Sequence, residues 1–139
     1  MSNVVRNVLA VIAGLVIGSI VNMAIVAIGP ILIPPPPGTD VSNMEALSRS
    51  MPLFEPRHFI MPFLAHALGS LAGAIAAYMI AGSYKKQIAL AIGAVFLLGG
   101  AAASYMLPAP IWFEVLDIVA AYLPMAWLGS QIGARLQRK

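Results

Sequence analysis

The sequence predicts an all-α polytopic membrane protein: a four-transmembrane-helix bundle with a short amphipathic helix in its first outer loop. Three observations predict it. Only 9% of the residues are charged while 60% are hydrophobic; a soluble domain keeps its surface wet with roughly a quarter of its residues charged. Four apolar stretches are each long enough to cross about 30 Å of hydrocarbon, which takes about 20 helical residues. The charges between those stretches sort by sign.

The stretches are residues 4–28, 59–82, 88–107 and 111–136, in a single transmembrane domain covering 1–139. Backbone amides inside lipid must be satisfied within their own segment, so each should be a helix. The first is longer than the apolar core of a cleavable signal, about 7–15 residues. It ends at Gly29-Pro30 and is expected to remain as a span.

Arg6, Lys85, Lys86, Arg135, Arg138 and Lys139 fall on one side of these spans, six of the eight basic residues. All five acids, Asp40, Glu45, Glu55, Glu114 and Asp117, fall on the other, with Arg49 and Arg57. Positive charge marks the cytoplasmic face. Both termini are therefore expected in the cytoplasm of a bacterial inner-membrane protein, and the loop at 29–58 outside. No basic run is interleaved with aromatics, so the expected partner is the lipid bilayer and not nucleic acid. The chain has no cysteine, which excludes disulfides and thiolate chemistry.

The outer loop should begin as a stiff polyproline rod at Pro34-Pro35-Pro36-Pro37 and turn at Gly38. Ser42-Asn43-Met44-Glu45 reads as a capping box opening a short helix. Met44, Leu47 and Met51 share its apolar face, and Pro52 ends it. Phe54, Phe59, Trp112 and Phe113 fit an outer aromatic belt.

Small residues mark the packing faces. Gly14/Gly18, Gly69/Gly73 and Gly129/Gly133 are G-x-x-x-G pairs, and Ala89/Gly93 is a looser version. Such pairs let helix backbones approach where lipid supplies no hydrophobic drive. They could serve within one bundle or between copies, in a homo-oligomer or a larger membrane complex. Leu68-Gly69-Ser70 and Leu128-Gly129-Ser130 open two L-G-S-x-x-G-A segments, each with a proline upstream (Pro62 and Pro124), which suggests an internal duplication.

Ionisable groups inside a span are costly and are candidates for function. By helical rise, Asn22 and Asp117 lie about 9 Å below the outer ends of their spans, and His66 about 12 Å. Ser70 lies one turn below His66, and Glu114 one turn above Asp117. Ser104 and Tyr105 could close the layer. The candidate ligand-binding set is Asn22, His66, Ser70, Glu114 and Asp117. Asp117 would accept from His66, and Asn22 would add a donor. The alternative is a buried network that only holds the helices in register.

No metal site or cofactor is implied. His58 and His66 are eight residues apart, about 12 Å along a helix, too far to share one ion. A Ser70–His66–Asp117 hydrolase lacks the strained nucleophile turn and oxyanion hole such enzymes use. The inner half offers only Ser130 and Gln131, which is no conduction path.

Several segments resemble a group of uncharacterised small four-span bacterial membrane proteins. These are Pro35-Pro36-Pro37-Gly38-Thr39-Asp40, Asn43-Met44-Glu45, Phe54-Glu55-Pro56-Arg57-His58-Phe59, Pro62-Phe63-Leu64-Ala65-His66-Ala67-Leu68-Gly69, Leu107-Pro108-Ala109-Pro110-Ile111-Trp112-Phe113 and Ala121-Tyr122-Leu123-Pro124-Met125-Ala126. The resemblance implies a bacterial origin and no particular reaction. The sequence favours an accessory or scaffold subunit, or a homo-oligomer, without catalytic activity. A small-molecule or lipid-binding protein, or a transporter half, is the second reading.

Overall fold

The computed structural model describes residues 1–138, so Lys139 lies outside the described residues. The chain is a membrane protein built as a helical bundle. Four stretches are long and apolar enough to cross a membrane: Asn3–Leu32, Pro56–Ile80, Lys85–Met106 and Ile111–Leu136. The helices are α1 (Asn3–Leu32), α2 (Met44–Ser50), α3 (Ile60–Ile80), α4 (Lys85–Met106), α5 (Ile111–Ala120) and α6 (Leu123–Leu136).

Two boundaries differ from expectation for reasons of proline chemistry. α1 does not stop at Gly29-Pro30 but continues to Leu32. Proline fits helical φ; its cost, a missing N–H and a ring crowding the Val26 carbonyl, is borne in the last turn. The last turn still closes, with Ile33 N–H donating to Gly29 O at 2.8 Å. The fourth span is not one helix. It breaks at Ala121-Tyr122, between α5 and α6. Pro124 has no N–H for the carbonyl of Ala120, and its ring would crowd that carbonyl in a continuous helix. It is tolerated in the first turn of α6, where that N–H would be an orphan anyway.

α1 and α3 run antiparallel along a seam of small residues. A Cβ on Gly14 would lie 2.9 Å from Gly73 O, and one on Gly18 would lie 2.7 Å from Gly69 O. The reverse contacts are equally close, 2.6 Å from Gly73 to Gly14 O and 2.9 Å from Gly69 to Gly18 O. Ala10 and Ala77, both buried, extend the stripe. α6 packs on another face of α3, with Gly129 against Leu71 O and Gly133 against Tyr78. Gly93 of α4 meets Ala126 of α6. All three G-x-x-x-G pairs are thus occupied inside one chain. The two L-G-S-x-x-G-A segments face different neighbours, α1 and α3, so their glycines are not equivalent by an internal two-fold.

Arg6 and Asn7 close the basic end of the bundle. Arg6 donates to Ile80 O at 3.1 Å, which places a cation on the orphan carbonyls at the end of α3. Asn7 Oδ1 accepts from Gly82 N–H at 3.0 Å and Ser83 N–H at 3.1 Å. Gln137 ties α6 to the same corner, accepting from Lys85 and donating to Met79 O.

At the opposite end the loop folds over the bundle. Gly38, with φ +80°, makes the turn after the proline run, where Thr39 N–H donates to Pro36 O. The α2 cap is Asn43, which accepts from Ala46 N–H at 2.9 Å, one residue later than the expected capping box. Ser42 instead serves Asp40: its hydrogen bonding holds the Asp40 carboxyl below the ordinary aspartate range. That contact is complete at neutral pH and is lost only as pH falls through the lowered value. Leu47 and Met51 pack with Phe54, Phe59 and Phe113, while Met44 stays exposed. The aromatics therefore form a plug more than a belt. Phe59 and Phe113 are buried with ring centroids 4.8 Å apart, and only Trp112 remains half exposed.

The seam can be tested directly. Gly18→Leu or Gly69→Leu should destabilise the detergent-solubilised protein by at least the cost of overpacking a tight interior, about 1–3 kcal/mol. Gly99→Ala, with nothing within 4 Å of the new Cβ, should leave thermal unfolding by circular dichroism unchanged.

Candidate functional site

The site grows from a carboxylate buried away from bulk solvent. Asp117 projects from the last turn of α5, and its side chain is 3% exposed. An ionised carboxylate in such surroundings requires donors. His66 of α3 supplies one, its Nδ1 lying 2.9 Å from both Asp117 oxygens. A carboxylate only accepts, so the shared proton sits on Nδ1. Tyr122 supplies the other, its hydroxyl donating to Asp117 Oδ2 at 2.8 Å. Its ring stacks on His66 with centroids 5.6 Å apart and planes 27° apart.

The helix break puts Tyr122 in this position. Five residues separate it from Asp117, more than the helical spacing that brings side chains together. The break lets the tyrosine turn back onto the carboxylate. Gly100 of α4 makes room: a Cβ there would collide with the Tyr122 hydroxyl.

Beside this network is a cleft. α1 and α4 come close at Gly14–Ile92 and Gly18–Phe96, and an open space lies between Asn22 of α1 and Gly99 and Gly100 of α4. The gap is a cavity of about 260 Å³, lined by Asn22, His66, Ser70, Gly99, Gly100 and Tyr122, with Phe96 among its walls. The His66 side chain is 26% exposed, so its ring bridges the buried carboxylate and the cleft. With Nδ1 committed to Asp117, Nε2 is the ring atom left for a ligand. Ser70 Oγ is buried and has no hydrogen-bond partner among the described residues. Buried hydroxyls are rarely left so.

Of the five residues expected here, His66 and Asp117 are in contact, and Asn22 and Ser70 share the cleft with His66. Asn22 makes no hydrogen bond to Asp117; Tyr122 is the second donor. Glu114 is half buried and, among the described residues, bonds to none of the others. Ser104 lines a neighbouring cavity with His66 and Asp117, whereas Tyr105 is 93% exposed and points away. Ser70 makes no hydrogen bond to His66, so no nucleophile–base pair is assembled. Among the described residues no group of three or more His, Asp or Glu is placed to hold a metal ion.

No family model matches the chain, and neither the curated proteins nor the solved structures contain a match to it. The function must therefore be read from the site's own geometry.

Tyr122, Gly99 and Gly100 were not singled out by spacing. Tyr122 reads as an ordinary membrane aromatic until Pro124 is seen to interrupt the span two residues later. That proline was the available signal.

Gly100→Ala should destabilise the protein by displacing the Tyr122 hydroxyl. Tyr122→Phe should cost about 1–3 kcal/mol by leaving the buried carboxylate short of a donor. A Gly100 Cβ also meets the ring carbons, which Tyr122→Phe keeps. What the two variants share is the lost bond to Asp117, so the double variant should be less damaged than the sum by about that bond alone. Chemical unfolding of all four proteins measures that coupling. Simple additivity would mean that the two residues do not share this contact.

Proposed function

We propose that this protein is a non-catalytic multi-pass protein of the bacterial inner membrane that binds a small molecule or a lipid headgroup in the cleft between α1 and α4. The observation that carries the reading is the buried Ser70 hydroxyl, without a partner among the described residues, beside a His66 ring oriented by Asp117 and Tyr122. Asn22, His66 Nε2 and Ser70 together offer both donors and acceptors. They suit a ligand with hydroxyl, carbonyl or phosphate oxygens. Pockets of this kind, largely apolar with a few convergent polar groups, are where small ligands bind. Interrupted helices at such depth are also a feature of binding sites in transporters.

The same reading places the termini in the cytoplasm. Arg6, Lys85, Lys86, Arg135 and Arg138 gather at the end that carries both termini, which favours that end on the cytoplasmic side. The cleft then belongs to the outward half of the bundle. A scaffold or homo-oligomer remains the competing reading. Its main support was the glycine faces, and these are used within one chain.

Ser70 separates the readings because stability and binding should move in opposite directions. Ser70→Ala removes a buried hydroxyl with no partner among the described residues, so thermal stability of the empty protein should stay level or rise. Native mass spectrometry of protein taken from nanodiscs of bacterial polar lipid should show retained small molecules or lipids. The Ser70→Ala and Asn22→Leu variants should lose them about tenfold, the equivalent of one to two net hydrogen bonds. Identical adducts on all three proteins would reject the cleft as a binding site.

A further inference from the structure

We propose that a second cavity, at the loop end of α1, takes an acyl chain and holds its carbonyl oxygen on His58. The cavity measures about 230 Å³ and lies between the end of α1, the loop and the start of α3. Val26, Ile33, Leu47, Phe54 and Met61 are among its walls, and His58 is the one polar side chain that lines it.

His58 is 6% exposed, and its tautomer is set by its neighbour. Nδ1 accepts the backbone N–H of Glu55 at 2.8 Å. The proton of the neutral ring therefore sits on Nε2, which makes that atom a donor. It is buried and has no partner among the described residues. Every other lining side chain is apolar and has no acceptor to offer.

A trapped water would need two to four polar partners. The lining side chains provide one, and the Val26 carbonyl, left without a helical donor by Pro30, is a backbone acceptor beside it, so a water would sit at the lower end of that range. An acyl carbonyl fits better, since it accepts a hydrogen bond and asks for no donation in return. The chain attached to it fits the apolar wall. It also has a way out: Val26 and Pro30 are exposed along α1, so the rest of the tail can run into the surrounding hydrocarbon. His66 is not part of this cavity's wall; between this cavity and the polar cleft lies a further one that His58 shares with His66 and Asp117. A free fatty acid and an ester lipid carry the same carbonyl chemistry.

The test uses the full chain in dodecyl maltoside, a detergent without carbonyls. Palmitic acid and methyl palmitate, each ¹³C-labelled at the carbonyl, and hexadecane are offered in turn, and bound ligand is counted by native mass spectrometry. At least one carbonyl compound should be retained about tenfold more than hexadecane, the equivalent of one net hydrogen bond. Retention of the ester points to lipid esters as the source, and retention of the acid alone to free fatty acids. The infrared carbonyl band of the bound ligand should shift down, a readout taken on the unaltered protein. His58→Asn keeps an acceptor for the Glu55 amide but has no distal N–H. It should abolish both the preference and the shift, while His66→Ala should preserve them. Equal retention of hexadecane, retention of none of the three, an unshifted carbonyl band, or an unchanged preference in His58→Asn would overturn the proposal.

Discussion

A carboxylate held inside an apolar bundle sets the terms for the rest of this structure. Buried from bulk solvent, Asp117 finds its donors among side chains, and each donor imposes a further requirement. His66 must sit at the matching depth on α3 with Nδ1 turned to the acid. Tyr122 must reach back over five residues, which a continuous helix would not allow. Pro124 breaks the span and makes that reach possible. Gly100 must lack a side chain so that the hydroxyl fits. Orientation of the His66 ring toward the cleft follows from these requirements.

The second constraint is how helices attract one another in lipid. Acyl chains are as apolar as leucine, so contact must come from close packing. Gly14, Gly18, Gly69 and Gly73 bring the α1 and α3 backbones together, and α6 lies on the other side of α3 through Gly129 and Gly133. These seams tighten the half of the bundle whose ends are tied by Arg6, Asn7 and Gln137. Beside Phe96 a cavity opens between Asn22 of α1 and Gly99, Gly100 and Ala103 of α4. Thus the cleft is the place where the packing rule ceases to be satisfied, and it coincides with the polar groups. The loop helix and the aromatic plug of Phe59 and Phe113 cover the same end.

Much of this was legible in the sequence. The spans followed from run length, the packing faces from glycine spacing, and the pairing of His66 with Asp117 from depth alone. Those features obey simple periodicities. What escaped depends on local exceptions. Arg6 reads as a charge that orients the chain, yet it caps α3 across seventy-odd residues, and no spacing rule connects the two. Asn22 has the right depth but the wrong azimuth to reach Asp117. Glu114 is one turn from Asp117 on the same helix, but its half-buried side chain makes no hydrogen bond or ion pair among the described residues. Tyr122 was hidden because its role arises only from the interruption beside it. The extension of α1 past Pro30 was missed because proline near a helix end forfeits so little.

The account rests on the bond between His66 and Asp117, and nitrogen NMR of the protein reconstituted in bilayers reads it most directly. With ¹⁵N-labelled histidine, the His66 signal should show a protonated Nδ1 in a strong hydrogen bond, and Asp117→Asn should shift that signal while sparing His58. A His66 ring whose Nδ1 carries no proton, or whose spectrum is indifferent to Asp117→Asn, would contradict the arrangement on which the cleft depends.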